Sequence, residues 1–281
     1  MKDFFEKAKI IESMGGWISR ESHAIFDFLL NFQKSNELHG NLMEIGVYHG
    51  KTSAVMSEFV EEGENLFMVD PWLEAYKSEI LKNLESYSQI EQNKLKMLSI
   101  SSQDLIRDID KQLYGSFRFI HIDGNHTAQF LYNDLITADK LLNSVYGIVA
   151  IDDFMSYLYP QVTECVYKYL HLNPFSFRLI LTAYNKAYLV RTTYYSKLYK
   201  FIYNFLIGKL NDKKIYSILV KSSSLGDSYT LSLHQGEADS NWYRGEDVCL
   251  VKDSTNREVI QFDCVNTIDL GKYKFNRKEN D

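Results

Sequence analysis

Two short apolar segments of this 281-residue chain each end in aspartate. Residues 117–122 run into Asp123, and residues 147–151 run into Asp152 and Asp153. One helix-length segment separates them, and this spacing fits a strand–helix–strand unit of roughly 30 residues. The strands of such a unit are parallel neighbours whose carboxyl ends open on the same edge of the sheet. Because converging carboxylates repel one another and resist desolvation, the pattern predicts a bound cation at this edge.

His126 follows Asp123 by about one helical turn and is a candidate general base, since imidazole titrates near neutral pH. Simpler interpretations stay open, because aspartate is common at helix caps and turns and a loop histidine is often only solvated. His121 lies within the predicted strand and is expected to have a packing role. The weaker candidates for contact with a ligand are His49, Tyr157 and Tyr159.

A second motif, MEIGVYHGKT, combines a strand end, a glycine-containing turn and the start of a helix. Gly46 and Gly50 would allow a ligand to approach the backbone over the helix N-terminus. The motif is not GxGxxG, because Tyr48 and His49 occupy part of the loop. Asp70 ends the next strand about 20 residues later, where an acid holds ribose hydroxyls in dinucleotide-binding folds. The turn and the acid together predict an adenosine-type cofactor.

Strand and helix patterns alternate from residue 41 onwards, which indicates an α/β fold with a mostly parallel, doubly wound sheet. Helices at 3–14 and 20–35 precede the sheet. Two strands at 176–182 and 187–191, joined by residues 183–186, are predicted to form an antiparallel hairpin. The earlier strands are predicted at 42–45, 66–69, 96–100, 117–122 and 147–151, and the helices between them at 52–61, 73–92, 102–112, 128–143 and 160–171.

The composition changes after Arg191. Residues 193–210 form an amphipathic helix, interpreted as a packing or dimer helix, with peripheral contact to a membrane surface as the alternative. Residues 215–275 alternate apolar and polar side chains and predict a small β-rich appendage. The predicted division is a domain at 1–191, with its core at 40–191, and an appendage at 192–281.

Five motifs occur in the order found in class I S-adenosylmethionine-dependent methyltransferases. They are EIGVYHGKT from Glu44, Val69-Asp70, Ser102-Gln103-Asp104, Ile122-Asp123-Gly124-Asn125-His126 and Ile151-Asp152-Asp153. More narrowly, the chain resembles the metal-dependent O-methyltransferases of the macrocin type, which methylate sugar hydroxyls, and more distantly catechol O-methyltransferase. The resemblance covers about residues 40–191. It implies a seven-stranded Rossmann-like methyltransferase sheet whose last strand is antiparallel.

The resemblance also implies a role for each matched residue. His126 stands where the catechol enzymes carry their lysine base. A divalent cation, with magnesium as the expected ion, is implied at Asp123, Asp152 and Asp153. The chain departs from the family pattern at Tyr48-His49, where many methyltransferases have a further glycine. The residues implied to bind S-adenosylmethionine are Glu44, Gly46, Tyr48 and Gly50 in the glycine loop, Asp70 at the ribose, Ser102 and Gln103 at the adenine, and Asp123.

Charge, cysteine content and apolar stretches indicate which partners and which cellular compartment suit the chain. The net charge of −6 and the pI of about 5.7 argue against a protein that binds nucleic acid through bulk charge. Cys165, Cys249 and Cys264 lack CxxC spacing and are interpreted as reduced thiols. The first residues lack the apolar core of a signal peptide, and no uncharged stretch reaches the length of a membrane span. We expect a cytoplasmic protein that acts on a small-molecule or saccharide acceptor. The sequence leaves open whether the chain forms homo-oligomers.

The leading hypothesis is therefore metal-assisted methyl transfer from S-adenosylmethionine to a hydroxyl of a sugar or polyol. Two alternatives stay open. An NAD-dependent oxidoreductase fits Asp70 but not the absence of GxGxxG or the aspartate cluster. A non-catalytic interaction protein on the same fold fits poorly with an intact glycine turn and intact aspartates, although fold alone does not decide function.

Overall fold

The computed structural model describes residues 3–223, 229–235, 250–252 and 258–260. Its helices are α1 (Phe4–Glu12), α2 (Arg20–Ser35), α3 (Lys51–Ser57), α4 (Leu73–Tyr87), α5 (Ser102–Asp108), α6 (Ala128–Leu141), α7 (Pro160–Leu172) and α8 (Tyr195–Asp212). Its strands are β1 (Asn41–Ile45), β2 (Leu66–Val69), β3 (Leu95–Leu98), β4 (Phe117–Ile122), β5 (Ile148–Ile151), β6 (Phe177–Ala183), β7 (Lys186–Arg191), β8 (Ser217–Ser223), β9 (Tyr229–Gln235), β10 (Leu250–Lys252) and β11 (Glu258–Ile260).

Nine of these strands form one sheet in the order β3-β2-β1-β4-β5-β7-β6-β9-β8. The first five are parallel, and β7 is antiparallel to both of its neighbours, β5 and β6. The order reverses between β1 and β4, so β1 and β4 flank the switch point where open α/β sheets bind ligands. Strands β10 and β11 form a separate antiparallel pair.

The sheet is covered on both faces, as expected for a parallel α/β sheet. One face carries Leu42, Phe119 and Tyr188 and packs under α1 to α4 and α8. The other face carries Met43, Ile120 and Val149 and packs under α5 to α7. Alternating strand residues thus supply two cores, and every residue of β1, β4 and β5 is buried.

The predicted fold class is confirmed: the structure is a doubly wound α/β sheet with N-terminal helices and a reversed strand near its end. The strand number differs, since β8 and β9 extend the sheet from seven strands to nine by pairing β9 in parallel with β6. Several helices end earlier than predicted. Helix α3 stops at Ser57 rather than Glu61, and α4 stops at Tyr87, because periodicity alone does not mark where capping ends a helix.

Helix α8 corresponds to the predicted amphipathic segment and packs inside the molecule. Its apolar face buries Leu198, Ile202, Leu206 and Leu210, and Phe201 stacks on Phe28 of α2 at 4.8 Å between ring centres. Intramolecular packing therefore accounts for this face. Within the described ranges, no helix has the length and apolarity needed to cross a membrane. The domain division at residue 191 stays a prediction, and the predicted turns near residues 225 and 253, with Cys249 and Cys264, lie outside the described residues.

Candidate active site

A cleft of about 830 Å³ opens at the carboxyl ends of β1, β2, β4 and β5, and its volume lies within the range of ligand pockets. The loops that follow these strands supply most of its wall. The residues that line it include Trp17, Glu44, Gly46, Tyr48, Asp70, Trp72, Ser102, Asp123, His126, Asp152, Asp153, Leu158, Tyr159 and Asn185.

Gly46 allows two strand ends to approach each other closely. It has a φ of 86°, and a Cβ at this position would lie 2.0 Å from the backbone oxygen of Asp123. The Asp123 amide also donates to the Ile45 carbonyl at 2.7 Å. Glycine is therefore required here by the packing of the β1 turn on the β4 turn, in addition to any approach of a ligand.

Tyr48 takes the place of a further glycine in a left-handed conformation, with a φ of 48°. Its ring stacks on His49 at 3.7 Å and on Trp17 at 5.4 Å between ring centres. Gly50, with a φ of 76°, then begins α3. The loop conformation is thus held by aromatic stacking with the segment between α1 and α2, where Trp17 remains 79% exposed at the cleft.

Asp70 braces the same loop. Its Oδ2 accepts hydrogen bonds from the backbone amides of Val47 and Tyr48 at 2.9 and 3.1 Å. Its Oδ1 accepts from the Trp72 amide at 2.8 Å. Because a carboxylate offers about four acceptor positions, Asp70 can brace the loop and still accept from a ligand hydroxyl.

Glu44 and His121 form a buried pair beneath the cleft. Glu44 is 1% exposed and accepts a hydrogen bond from the Ser53 hydroxyl. His121 Nδ1 lies 3.1 Å from Glu44 Oε1, and its Nε2 lies 4.0 Å from Asp152 Oδ2. His121, for which a packing role is predicted, thus lies between Glu44 of the glycine motif and Asp152 of the acidic cluster.

Ser102 lines the cleft, whereas Gln103 does not. The Gln103 amide instead lies 3.5 Å from the Phe130 carbonyl of α6. Below this corner lies Asp134, which is fully buried with neither carboxylate oxygen in a hydrogen bond. Burial raises the pKa of Asp134 to about 7, although Ser102 opposes the rise.

The acidic residues divide into two clusters that share Asp123. In one, potential ligand atoms of His121, Asp123 and Asp152 lie within 4.8 Å of one another, and in the other those of Asp123, His126 and Asp153 do. The three predicted metal ligands are thus divided: Asp152 belongs to the first cluster, Asp153 to the second, and Asp123 to both.

His126 is held between two carboxylates and an aromatic ring. Its Nε2 lies 2.5 Å from Asp153 Oδ2 and 3.7 Å from Asp123 Oδ1. Its ring stacks on Tyr159 at 4.2 Å between centres. Interaction with Asp123 raises the pKa of His126, partial burial opposes this, and the charge of Asp153 adds to the rise.

The pKa values of Asp123 and Asp152 are shifted in opposite directions. Burial raises the pKa of Asp123 to about 6; His126 opposes this, and the charge of Asp152 adds to it. Burial acts in the same direction on Asp152, but the charges of Lys186 and His121 outweigh it and leave the pKa of Asp152 below its usual range. Asp152 is therefore the firmly ionised member of the pair.

Residues 43–154 match a family model described as Methyltransferase domain. This segment contains the glycine turn, Asp70, the β4 motif and the two aspartates after β5. This part of the chain is similar to a methyltransferase domain. No curated protein matches the chain.

Solved structures share the fold of this chain at low sequence identity. The O-methyltransferase TomG from Streptomyces achromogenes, solved in complex with SAM, is 13% identical with a TM-score of 0.52, covering 69% of this chain and 91% of TomG. The O-methyltransferase NovP is 16% identical with a TM-score of 0.50, covering 62% of this chain and 81% of NovP. A Corynebacterium glutamicum protein is 10% identical with a TM-score of 0.52, covering 68% and 90%. These structures have the fold that the resemblance to class I O-methyltransferases implies.

One residue of the candidate site was missed by sequence reasoning. Lys186 is 3% exposed, and its ammonium group forms an ion pair and hydrogen bond with Asp152 Oδ2. The sequence predicted residues 183–186 as a turn, but the turn has only two central residues, Tyr184 and Asn185, both with positive φ. Lys186 is therefore the first residue of β7. The asparagine, which favours left-handed turn positions, was the available signal for this register.

Proposed function

We propose that this protein transfers the methyl group of S-adenosylmethionine to a hydroxyl of a small-molecule acceptor. One observation carries the proposal: a glycine loop braced by an acid and a carboxylate–histidine cluster open into the same cleft. The first feature suits an adenosine-type methyl donor, and the second suits a hydroxyl acceptor. A shared cleft would hold both reactants next to each other, which is the main requirement of a transfer from an activated donor.

The donor half is proposed at the glycine loop. Asp70 would accept hydrogen bonds from the ribose hydroxyls, since its two oxygens are already fixed by three backbone amides. Ser102 borders the cleft on the side proposed for adenine. Glu44 and Gly46 lie deepest along β1 and its turn, on the side proposed for the methionine portion. Gln103 has only an indirect role, through α6.

The acceptor half is proposed at the acidic clusters, with a divalent cation held by Asp123, Asp152 and Asp153. The donor set fits such an ion, because it offers carboxylate oxygens and the buried Nε2 atom of His121 has no hydrogen bond. A bound cation would supply Lewis acidity, lowering the pKa of a coordinated hydroxyl. Magnesium is the proposed ion, because hard oxygen ligands suit it.

His126 is proposed as the general base. Its Nε2 faces two carboxylates and so carries the proton in the neutral ring, which leaves the lone pair on Nδ1. The imidazole would take the proton of the acceptor hydroxyl. The oxygen would then form a bond to the methyl carbon as the sulfur–methyl bond breaks, and S-adenosylhomocysteine would leave. Stacking on Tyr159 and the contact with Asp153 fix the ring for this task.

A sugar or polyol is proposed as the acceptor. The carboxylates at the cleft floor suit an acceptor with several hydroxyls, and the rim carries the exposed side chains of Trp17, Trp72 and Leu158. Exposed apolar side chains beside a polar pocket mark a binding surface. A pyranose has hydroxyls on its edge and an apolar C–H face, so it matches both features. The cytoplasmic location and a homo-oligomeric state stay predictions.

Calorimetry and a transfer assay test the proposal. S-adenosylhomocysteine and NAD are titrated separately into the protein, and release of S-adenosylhomocysteine from S-adenosylmethionine is then followed with nucleotide-linked hexoses and with catechol as acceptors, with Mg²⁺ or excess EDTA. We expect binding of S-adenosylhomocysteine but not NAD, and release with a hexose that EDTA abolishes.

The three parts of the proposal fail separately in these measurements. Binding of NAD alone would contradict the methyl donor. Release with catechol and none with any hexose would contradict the sugar acceptor. Full activity in EDTA, matched by an active Asp123→Asn variant, would contradict the cation.

A further inference from the structure

A buried lysine lies against the acidic clusters of the proposed cation site. Lys186 is the first residue of β7, is 3% exposed and donates a hydrogen bond to Asp152 Oδ2. Asp152 Oδ1 accepts from the Asp153 amide at 2.8 Å. Both oxygens of Asp152 thus have a partner within the protein, and the lysine is one of them.

The lysine contributes a fixed positive charge to a strongly acidic region. Four carboxylates line this end of the sheet, those of Glu44, Asp123, Asp152 and Asp153. Their other ionic contacts within 4.0 Å are with His121 and His126. In the part of the chain that the structure describes, Lys186 is the only lysine or arginine within that distance of any of the four.

The position of Lys186 makes its charge a permanent feature of the region. Lys186 sits next to Asn185, whose amide donates to Asp153 Oδ1 at 2.8 Å, so the β6–β7 turn contacts both aspartates that follow β5. The backbone of Lys186 is fixed at the start of β7 by its strand pairing with Ala183, and its side chain is buried. A surface lysine could be displaced by an arriving cation, whereas this one stays buried beside its carboxylate.

We infer that Lys186 is a resident counter-cation that positions the Asp152 carboxylate and keeps the divalent-cation affinity of the acidic clusters low. The inference rests on the cation site proposed above. Two effects lead to it. The ammonium repels a dication across a short distance in a partly desolvated region, where such repulsion is stronger than in water. It also occupies one of the lone pairs with which Asp152 would bind a metal.

Paired substitutions separate the charge of Lys186 from its hydrogen bond. Lys186→Arg keeps the positive charge. Lys186→Gln removes the charge but keeps an amide that can donate to Asp152. Binding of Mn²⁺ to the full chain is measured by calorimetry and by the electron paramagnetic resonance signal of free Mn²⁺. We expect Lys186→Gln to bind Mn²⁺ about ten-fold or more tightly than wild type, as removal of one nearby charge implies, and Lys186→Arg to stay within about three-fold.

Two further measurements distinguish this inference from the proposed function and from a purely structural role. S-adenosylhomocysteine affinity reports on the methyl-donor half and is expected to be the same in all three proteins. Thermal unfolding without metal reports on packing. A lower melting temperature of Lys186→Gln with unchanged Mn²⁺ affinity would mean that Lys186 only stabilises the fold, and the inference would be overturned.

Each remaining outcome of the Mn²⁺ titration either supports or overturns the inference about Lys186. Unchanged or weaker Mn²⁺ binding by Lys186→Gln overturns the inference, including the case in which neither protein binds Mn²⁺. Binding by Lys186→Gln alone supports it. If Lys186→Gln does not fold, Lys186→Met takes its place in the same titration, because its unbranched side chain fills similar space without charge.

Discussion

The carboxylate of Asp70 holds the backbone of Tyr48 in a left-handed conformation. The Tyr48 amide donates to Asp70 Oδ2 at 3.1 Å, and Tyr48 has a φ of 48°. This conformation costs a residue with a side chain roughly 1–2 kcal/mol. The hydrogen bond from Tyr48 and the neighbouring one from Val47 offset that cost. The acid at the end of β2 thus shapes the proposed cofactor loop before any ligand binds.

Replacing Asp70 with asparagine should weaken S-adenosylhomocysteine binding by about 10- to 100-fold, the range expected for lost hydrogen bonds to a charged group. The amide cannot accept from both loop amides and from ribose hydroxyls as the carboxylate can. Calorimetry with S-adenosylhomocysteine and with its 2′-deoxy analogue measures the two roles separately. If Asp70 contacts the ribose, the missing hydroxyl lowers affinity in wild type and much less in Asp70→Asn. Equal losses in both proteins would restrict Asp70 to bracing the loop.

Gly46→Ala should destabilise the fold by roughly 2–5 kcal/mol, from backbone strain and overpacking together. The new Cβ would lie 2.0 Å from the Asp123 carbonyl oxygen, so β1 and β4 would have to separate at the site. Gly63→Ala is a matched control, because Gly63 has a similar φ of 77° with no atom within 4 Å of the added Cβ. Urea unfolding of both variants isolates the cost of the close approach. Equal losses would show that strain alone requires Gly46.

The alternation of strands and helices up to β7, and the position of the aspartates at the ends of β4 and β5, could be predicted from the sequence. Apolar runs mark β1, β4 and β5 because both faces of these strands are buried, and the aspartates follow the runs directly. The addition of β9 beside β6 could not be predicted, because edge pairing depends on contacts between segments distant in the chain. The resemblance extended only to residue 191 and gave no guide to these strands.

The charge balance of the site was the part that sequence reasoning missed. The sequence predicts residues 183–186 as the hairpin loop, whereas a two-residue turn makes Lys186 the first residue of β7, with a buried side chain. The register is the one that the predicted strands imply, with Thr182 paired to Ala187, and the strands extend by one further pair. The ion pair of Lys186 with Asp152 joins residues distant in the chain, so no local motif marks it. Asp134 was missed for a related reason: its burial between α6 and the segments of Ser102 and Gly124 is a tertiary property with no local motif.

Asp134 should make the stability of the fold depend on pH. Its pKa is about 7 in the folded protein against an ordinary value of 3.8, so the folded state binds more protons than the unfolded state between these values. The favourable contribution of protonated Asp134 is complete below pH 4 and is lost as pH rises through 7. Asp134→Asn removes this dependence.

Urea unfolding of wild type and Asp134→Asn at pH 5 and pH 8 checks this prediction. Relative to wild type, Asp134→Asn should gain roughly 2–3 kcal/mol between the two pH values, since each pH unit of differential protonation is worth about 1.4 kcal/mol. Glu62→Gln, which changes a fully exposed carboxylate, is the control. A constant difference between wild type and Asp134→Asn would mean that Asp134 stays ionised when folded.

His126→Gln should lower kcat by about 10²- to 10⁴-fold, the usual contribution of a general base, with S-adenosylhomocysteine affinity unchanged. The wild-type rate should fall as pH drops through the pKa of His126, because only the neutral ring accepts a proton. In the metal-free protein, interaction with Asp123 raises the pKa of His126 more than burial lowers it. The acid limb of the kcat profile, measured with a hexose that is methylated in the proposed transfer assay, should be absent in His126→Gln. His39→Gln, which changes an exposed histidine, controls for loss of an imidazole elsewhere.

An unchanged acid limb in His126→Gln would assign the proton transfer to another group. A parallel loss of S-adenosylhomocysteine affinity would make His126 a binding residue instead of a base.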